Sequence, residues 1–99
     1  MNYNFEWDNQ KARTNLLKHN GVSFEQASTV FIDPNMLVMY DDEHSASDEE
    51  RWITVGIDRR GALLTVCHTF KFESEMTAIV RIFSARKATA TESKQYRGL

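Results

Sequence analysis

The chain has one cysteine and one proline among 99 residues, and only four glycines. A single thiol excludes an internal disulfide and fits a reducing compartment, so Cys67 reads as a small buried apolar residue. No apolar stretch approaches the ~20 residues of a membrane span. The opening residues Met1–Glu6 lack the basic start and apolar run of a secretory leader. A soluble, cytoplasmic protein with no membrane partner is therefore expected. There is no tract rich in Pro, Gly or Ser to act as a linker, and no internal repeat, so residues 1–99 are expected to form one domain. A nucleotide-binding loop, zinc-ligand spacing and a nucleophile elbow are also missing. His19, His44 and His68 are too widely spaced for a local metal motif. Neither cofactor nor metal is expected.

What is present suffices for a core. The sequence is 41% hydrophobic, with two Trp, three Tyr and six Phe. The net charge of −2 conceals a division. Residues 1–50 carry three Lys+Arg against ten Asp+Glu, a net −7, and residues 51–99 carry nine against four, a net +5. The carboxyl half can therefore face a polyanion, which the overall balance does not suggest.

The first signals along the chain are helical. Asp8 is a good N-cap, Trp7 before it can staple against Ala12, and Ala12, Leu16 and His19 share one helical face. Asn20-Gly21 provides a stop. Ser23 and Gln26 have the spacing of a capping box for a second helix, carrying Phe24, Ala27, Val30 and Phe31 and ended by Asp33-Pro34. The middle reads as strands: Met36–Tyr40, Trp52–Ile57, Leu63–Phe70 and Ala78–Ala85, with an acidic loop over Asp41–Glu50. Thr89 and Glu92 then open a last helix, with Tyr96 as its main docking residue. Short connections favour an antiparallel meander. The expected fold class is α+β: two N-terminal helices, an antiparallel sheet of about four strands, and a C-terminal helix.

Several segments, taken in order, carry a resemblance. They are Phe5-Glu6-Trp7-Asp8, Asn15, Lys18-His19, Gly21-Val22-Ser23-Phe24-Glu25-Gln26-Ala27, Glu49-Glu50-Arg51, Gly56, and Arg81-Ile82-Phe83-Ser84-Ala85-Arg86-Lys87-Ala88, with Glu92 and Tyr96 beyond. Together they resemble the BrnT family of small bacterial toxins. The resemblance implies a RelE-like fold and a sequence-tolerant endoribonuclease acting on RNA. It also implies a cognate antitoxin of the ribbon-helix-helix, DNA-binding kind, through which alone the pair would touch operator DNA. Two readings from other classes stand beside it: a module that only binds a partner protein, and an RNA-binding protein without turnover.

Metal-free RNA cleavage needs a base for the 2′-hydroxyl, an acid for the leaving 5′-oxygen, and cations for the charge that develops at phosphorus. Arg suits the charge role and His the proton transfers. Within a regular strand, Arg81 lies with Phe83 on the face opposite Val80 and Ile82, and Arg86 points the other way. Either arginine suits a structural ion pair equally well. His68 shares parity with Leu64, Val66 and Phe70, which reads as a core-edge histidine; the alternative is a catalytic one. The resemblance places Glu50-Arg51 in the site, with Glu50 as base or as the group that orients an arginine. The expected catalytic set is Arg81, Arg86, Glu50, Arg51 and His68. Lys18 and His19 suit the carboxyl end of a helix dipole, and the resemblance places at least one of them on RNA. With Lys87 they are expected to hold RNA, together with Trp52, which reads either as core or as an aromatic on which a base stacks.

Overall fold

A computed structural model describes residues 1–99. Its first element is a strand. β1 (Asn2–Glu6) pairs in parallel with β5 (Thr77–Lys87), from Asn2↔Thr77 to Glu6↔Arg81. Tyr3 and Phe5 turn inward while Asn2, Asn4 and Glu6 face solvent. This period-2 pattern is only five residues long and runs straight into helical signals. The other strands are β2 (Leu37–Tyr40), β3 (Arg51–Ile57) and β4 (Leu63–Phe72). The sheet order is β1-β5-β4-β3-β2. The expected antiparallel meander is present from β2 to β5. The sheet as a whole corrects the expectation: it is five-stranded and mixed, and a strand precedes the helices of the anticipated RelE-like layout.

Two short helices and a turn cover one face of the sheet. α1 (Asn9–Lys18) is capped by Asp8, whose carboxylate accepts the backbone N–H groups of Gln10 and Lys11. Trp7 meets the edge of Phe24 at a ring separation of 6.0 Å. The expected apolar face of α1 is corrected here: Leu16 is 40% exposed, and the helix is anchored by buried Asn15 instead. α2 (Phe24–Ser28) starts at Ser23, whose hydroxyl accepts the Gln26 N–H. The Gln26 side chain reaches Asp58 rather than back to Ser23, so only half of the capping box forms. The chain then tightens into a 3-10 turn (Thr29–Ile32) before Pro34. Phe24, Ala27, Val30 and Phe31 pack on Leu64, Val66, Val80, Ile82 and Ala85. Full burial of a large apolar side chain is worth about 1.5–3 kcal/mol. Gly56 lets this layer close, since a Cβ there would lie 2.8 Å from a methyl of Val30 and 3.3 Å from Cβ of Met36.

One irregularity sets the geometry of the opposite, more open face. In the β4–β5 ladder His68 pairs with Ile82 but Cys67 pairs with Ser84. Phe83 is thus an extra residue in β5, a bulge that shifts the parity of everything beyond it. Arg86 opposite Thr65 and Arg81 opposite Thr69 therefore share one face, where a regular strand would have separated them. The same shift keeps Val80, Ile82 and Ala85 all in the core.

α3 (Ala90–Arg97) crosses the end of the open face. It begins with a complete Thr89–Glu92 capping box. As expected, Tyr96 docks it, donating a 2.6 Å hydrogen bond to Asp33. Glu92 adds a second anchor, accepting from Arg86 and from Thr65 of the sheet.

Candidate functional site

The register of β3, β4 and β5 sets Arg51, Thr69 and Arg81 abreast on the open face. Phe83 stands at the bulge beside them. The Arg51 guanidinium carbon lies 4.0 Å from the Phe83 ring centroid, and Lys11 Nζ, from α1, lies 5.1 Å from it. An aromatic face attracts cations through its quadrupole, so one ring draws together charges from α1 and β3. Arg51 is further held by Glu49, whose Oε1 accepts from Nε at 3.1 Å and Nη2 at 3.0 Å.

Between α1 and β5 runs an open cleft of about 490 Å³, lined by Asp8, Lys11, Thr14, Lys18, His19 and Ser84 around Phe83. Lys11, Thr14 and Lys18 fall at i, i+3 and i+7, so one helical face supplies two of the cations. His19 is the C-cap of α1, and the chain leaves it through Asn20 and Gly21, both at positive φ. Arg81 adds charge at the near end. Its closest carboxylate is Glu6 at 3.9 Å, and both side chains are about half exposed. Such a pair is worth about 0–1 kcal/mol and yields readily to a phosphate. The Asp8 carboxyl is held below its ordinary range, first by the Lys11 N–H, then by the Gln10 N–H and the charges of Lys11 and Arg81.

The other expected site residues lie elsewhere. Arg86 forms a two-pronged pair with Glu92, Nη1 to Oε1 at 2.7 Å and Nη2 to Oε2 at 3.0 Å. That pair pushes the Glu92 carboxyl down to about 2 and raises the Arg86 guanidinium. Lys87 is exposed at the end of β5. Glu50 is exposed in a shallow hollow with Asp48, Thr69 and Lys71; Glu49, not Glu50, is the carboxylate that orients Arg51. Trp52 packs edge-on against Tyr40 at 5.1 Å, on the face that carries the core. His68 is fully buried. Its Nδ1 donates to the Thr69 carbonyl at 2.9 Å and its Nε2 accepts from Thr54 Oγ1 at 2.7 Å. Burial pushes its pKa down to about 4, so the ring is neutral near pH 7.

The structure thus gathers Lys18, His19, Arg51 and Arg81 around Phe83 and leaves Arg86, Lys87, Glu50, Trp52 and His68 outside that group. Two members were not singled out from the sequence. Lys11 was marked by its seven-residue spacing from Lys18, and Phe83 by its place beside Arg81 on the open face.

The family model for the ribonuclease toxin BrnT of type II toxin-antitoxin systems matches residues 7–92. The chain belongs to the BrnT family. The match runs from Trp7 to Glu92 and so takes in every cleft residue. Among solved structures, the 1.1 Å crystal structure of the Brucella abortus ribonuclease toxin BrnT is similar at 20% sequence identity and a TM-score of 0.59. The similarity covers 90% of this chain and 99% of that one, and at such identity it speaks for the fold. No curated protein matches the chain. No helix of this BrnT-family chain is long and apolar enough to cross a membrane.

Proposed function

We propose that this chain is a cytoplasmic endoribonuclease toxin that cleaves RNA without a metal, in the cleft between α1 and β5. The observation that carries the proposal is the convergence of Lys11 and Arg51 on Phe83 beside Lys18 and His19. Cleavage by the 2′-hydroxyl puts an extra negative charge on the phosphorus centre, and preorganised cations stabilise it. Arg51 fits this role, because Phe83 and Glu49 fix its guanidinium before substrate arrives. Lys11, Lys18 and Arg81 hold neighbouring phosphates. His19 is the imidazole in the cleft and the proposed proton-transfer group. The metal-free route is proposed from the character of the donors, because cations line the cleft rather than a cluster of carboxylates and imidazoles.

The proposed antitoxin is a ribbon-helix-helix DNA-binding protein, as the resemblance implies, with operator DNA reached only through it. The deciding experiment is cleavage of a fluorescent single-stranded RNA in EDTA by the purified chain. Cleavage is expected to persist in EDTA and to fall at least tenfold in Lys18→Ala and Arg51→Ala proteins with unchanged thermal melts. Cleavage abolished by EDTA and restored by added divalent metal would refute the metal-free route.

A further inference from the structure

The core-bearing face of the sheet is not fully covered. Beyond the 3-10 turn a groove of about 300 Å³ is left open, lined by Tyr3, Phe31, Val38, Trp52, Phe70 and Phe72 among others. Val38 is 46% exposed and Phe72 60%, and Tyr40 and Met76 at the same end of the sheet are 45% and 62% exposed. Soluble monomers seldom leave large apolar side chains clustered in this way without a use for them. The polar groups in its floor, Thr54 and His68, are bonded to each other and to the Thr69 carbonyl, so they offer nothing to a polar ligand. The groove also adjoins β2, an edge strand whose outer backbone groups have no partner strand.

Its rim is acidic. Asp42 and Glu43 are exposed just after Tyr40, and the connection from there to Arg51 holds no Lys or Arg. Glu73 and Glu75 follow Phe72 on the neighbouring turn. That charge repels RNA, whose cations lie instead around Phe83. It also opposes a second copy of this chain, which would set one acidic rim against another. It favours a protein segment that brings apolar anchors flanked by Lys and Arg.

We infer that this groove is the docking surface for the cognate antitoxin, entered by a segment of apolar anchors with basic flanks. A DNA-binding antitoxin has the surplus of basic residues that the rim selects. The inference rests on the toxin–antitoxin reading but not on which residues cut RNA. It separates the inhibitor's main hold from the cation cleft, so inhibition works by obstruction or restraint from the side rather than by plugging the cations.

The test uses the full chain and the protein encoded by the adjoining reading frame, with affinity measured at 0.15 M and 0.5 M salt. Val38→Lys together with Phe72→Lys should weaken binding at least 100-fold while RNA cleavage stays within twofold of wild type. Asp42→Lys with Glu43→Lys, which leaves packing untouched, should weaken it at least tenfold and covers the case of poor folding in the first variant. Lys18→Ala with Arg51→Ala should lose cleavage yet bind the antitoxin within threefold of wild type. Normal antitoxin affinity in the groove and rim variants would overturn the inference, as would lost affinity in the cleft variant or no binding by wild type. Tight binding by a wild-type chain that cuts no RNA would instead refute the ribonuclease assignment and leave the docking surface standing.

Discussion

Asn15 binds Ala85 as a strand would. Its side-chain oxygen accepts the Ala85 N–H at 3.1 Å, and its side-chain nitrogen donates to the Ala85 carbonyl at 2.7 Å. β1 ends opposite Arg81, so the outer edge of β5 beyond that point has no strand beside it. One carboxamide from α1 satisfies that edge at Ala85 and also donates to the Val22 carbonyl at 3.0 Å. This bond pair fixes the distance between α1 and β5, and with it the width of the cleft.

Asn15→Ala is expected to destabilise the protein by roughly 2–4 kcal/mol, because buried backbone groups of Ala85 and Val22 lose their partners. Asn15→Asp should fare no better, since an ionised carboxylate accepts but cannot donate. Urea unfolding monitored by Trp fluorescence measures the loss. A midpoint shift worth less than ~1 kcal/mol would show that water replaces the amide at little cost.

Phe83→Leu keeps the bulk of the side chain and removes the aromatic face. Cation–π attraction of about 0.5–2 kcal/mol per cation translates into a several-fold to 30-fold loss of kcat/KM for RNA. Phe83→Tyr should restore most of it. Equal activity in the Leu and Tyr variants would mean the ring serves packing alone.

Arg51 and Arg86 should separate in their effects. Arg51→Ala is expected to reduce cleavage about 10²-fold with little change in melting, the scale for one preorganised donor. Arg86→Ala should cost stability, about 1–3 kcal/mol, by unpairing Glu92 and loosening α3. A stably folded Arg86→Ala protein with a hundredfold loss of cleavage would move the reaction centre toward α3.

Acid should unfold the protein in two stages. The His68 pKa is lowered from 6.5 to about 4, so the unfolded chain takes up a proton that the folded one refuses. Its contribution is complete above about pH 6.5 and is lost as pH falls toward 4, a loss of roughly 2–3 kcal/mol. The Glu92 pKa is lowered from 4.5 to about 2, so its contribution is present above about pH 4.5 and is lost on going down to about 2. Denaturation at pH 7, 5 and 3 should show His68→Gln flattening the upper stage and Glu92→Gln the lower. A folded His68→Gln protein should also keep the wild-type pH profile of cleavage, whereas a catalytic His68 would change it.

The caps, the meander and the last helix were legible because each is written in neighbouring residues: Asp8, Ser23, and Thr89 with Glu92. β1 was not, because its partner is at the far end of the chain and five residues carry too little pattern. Of the apolar face drawn for α1, Ala12 packs on the core but Leu16 stays exposed, because a helix lying on a strand edge is anchored best by a group that can hydrogen-bond, which Leu16 cannot do and Asn15 can. The bulge was invisible for a similar reason. The segment Val80–Ala85 alternates plausibly by itself, and only the pairing with Cys67 and His68 shows that Phe83 is extra. The resemblance and the strand parity named Lys18, His19, Arg51 and Arg81 as candidates, but Phe83, though it falls on the same face as Arg81, carries no charge to mark it as the ring against which Lys11 and Arg51 settle.

The cleft takes Lys11 from near the start of the chain, Arg51 from the middle and Phe83 from near the end. The wall that joins them is β5, which pairs with β1 from Asn2↔Thr77 to Glu6↔Arg81, across most of the polypeptide. Closing so long a loop is entropically costly and slow, and it waits until residue 77 and those after it exist. A growing chain on the ribosome therefore carries the cations without the ring that assembles them. The proposed cutting surface arises last in biosynthesis, when the apolar β2–β3 hairpin has already been made, so an inhibitor that grips that hairpin can be in place before there is anything to inhibit.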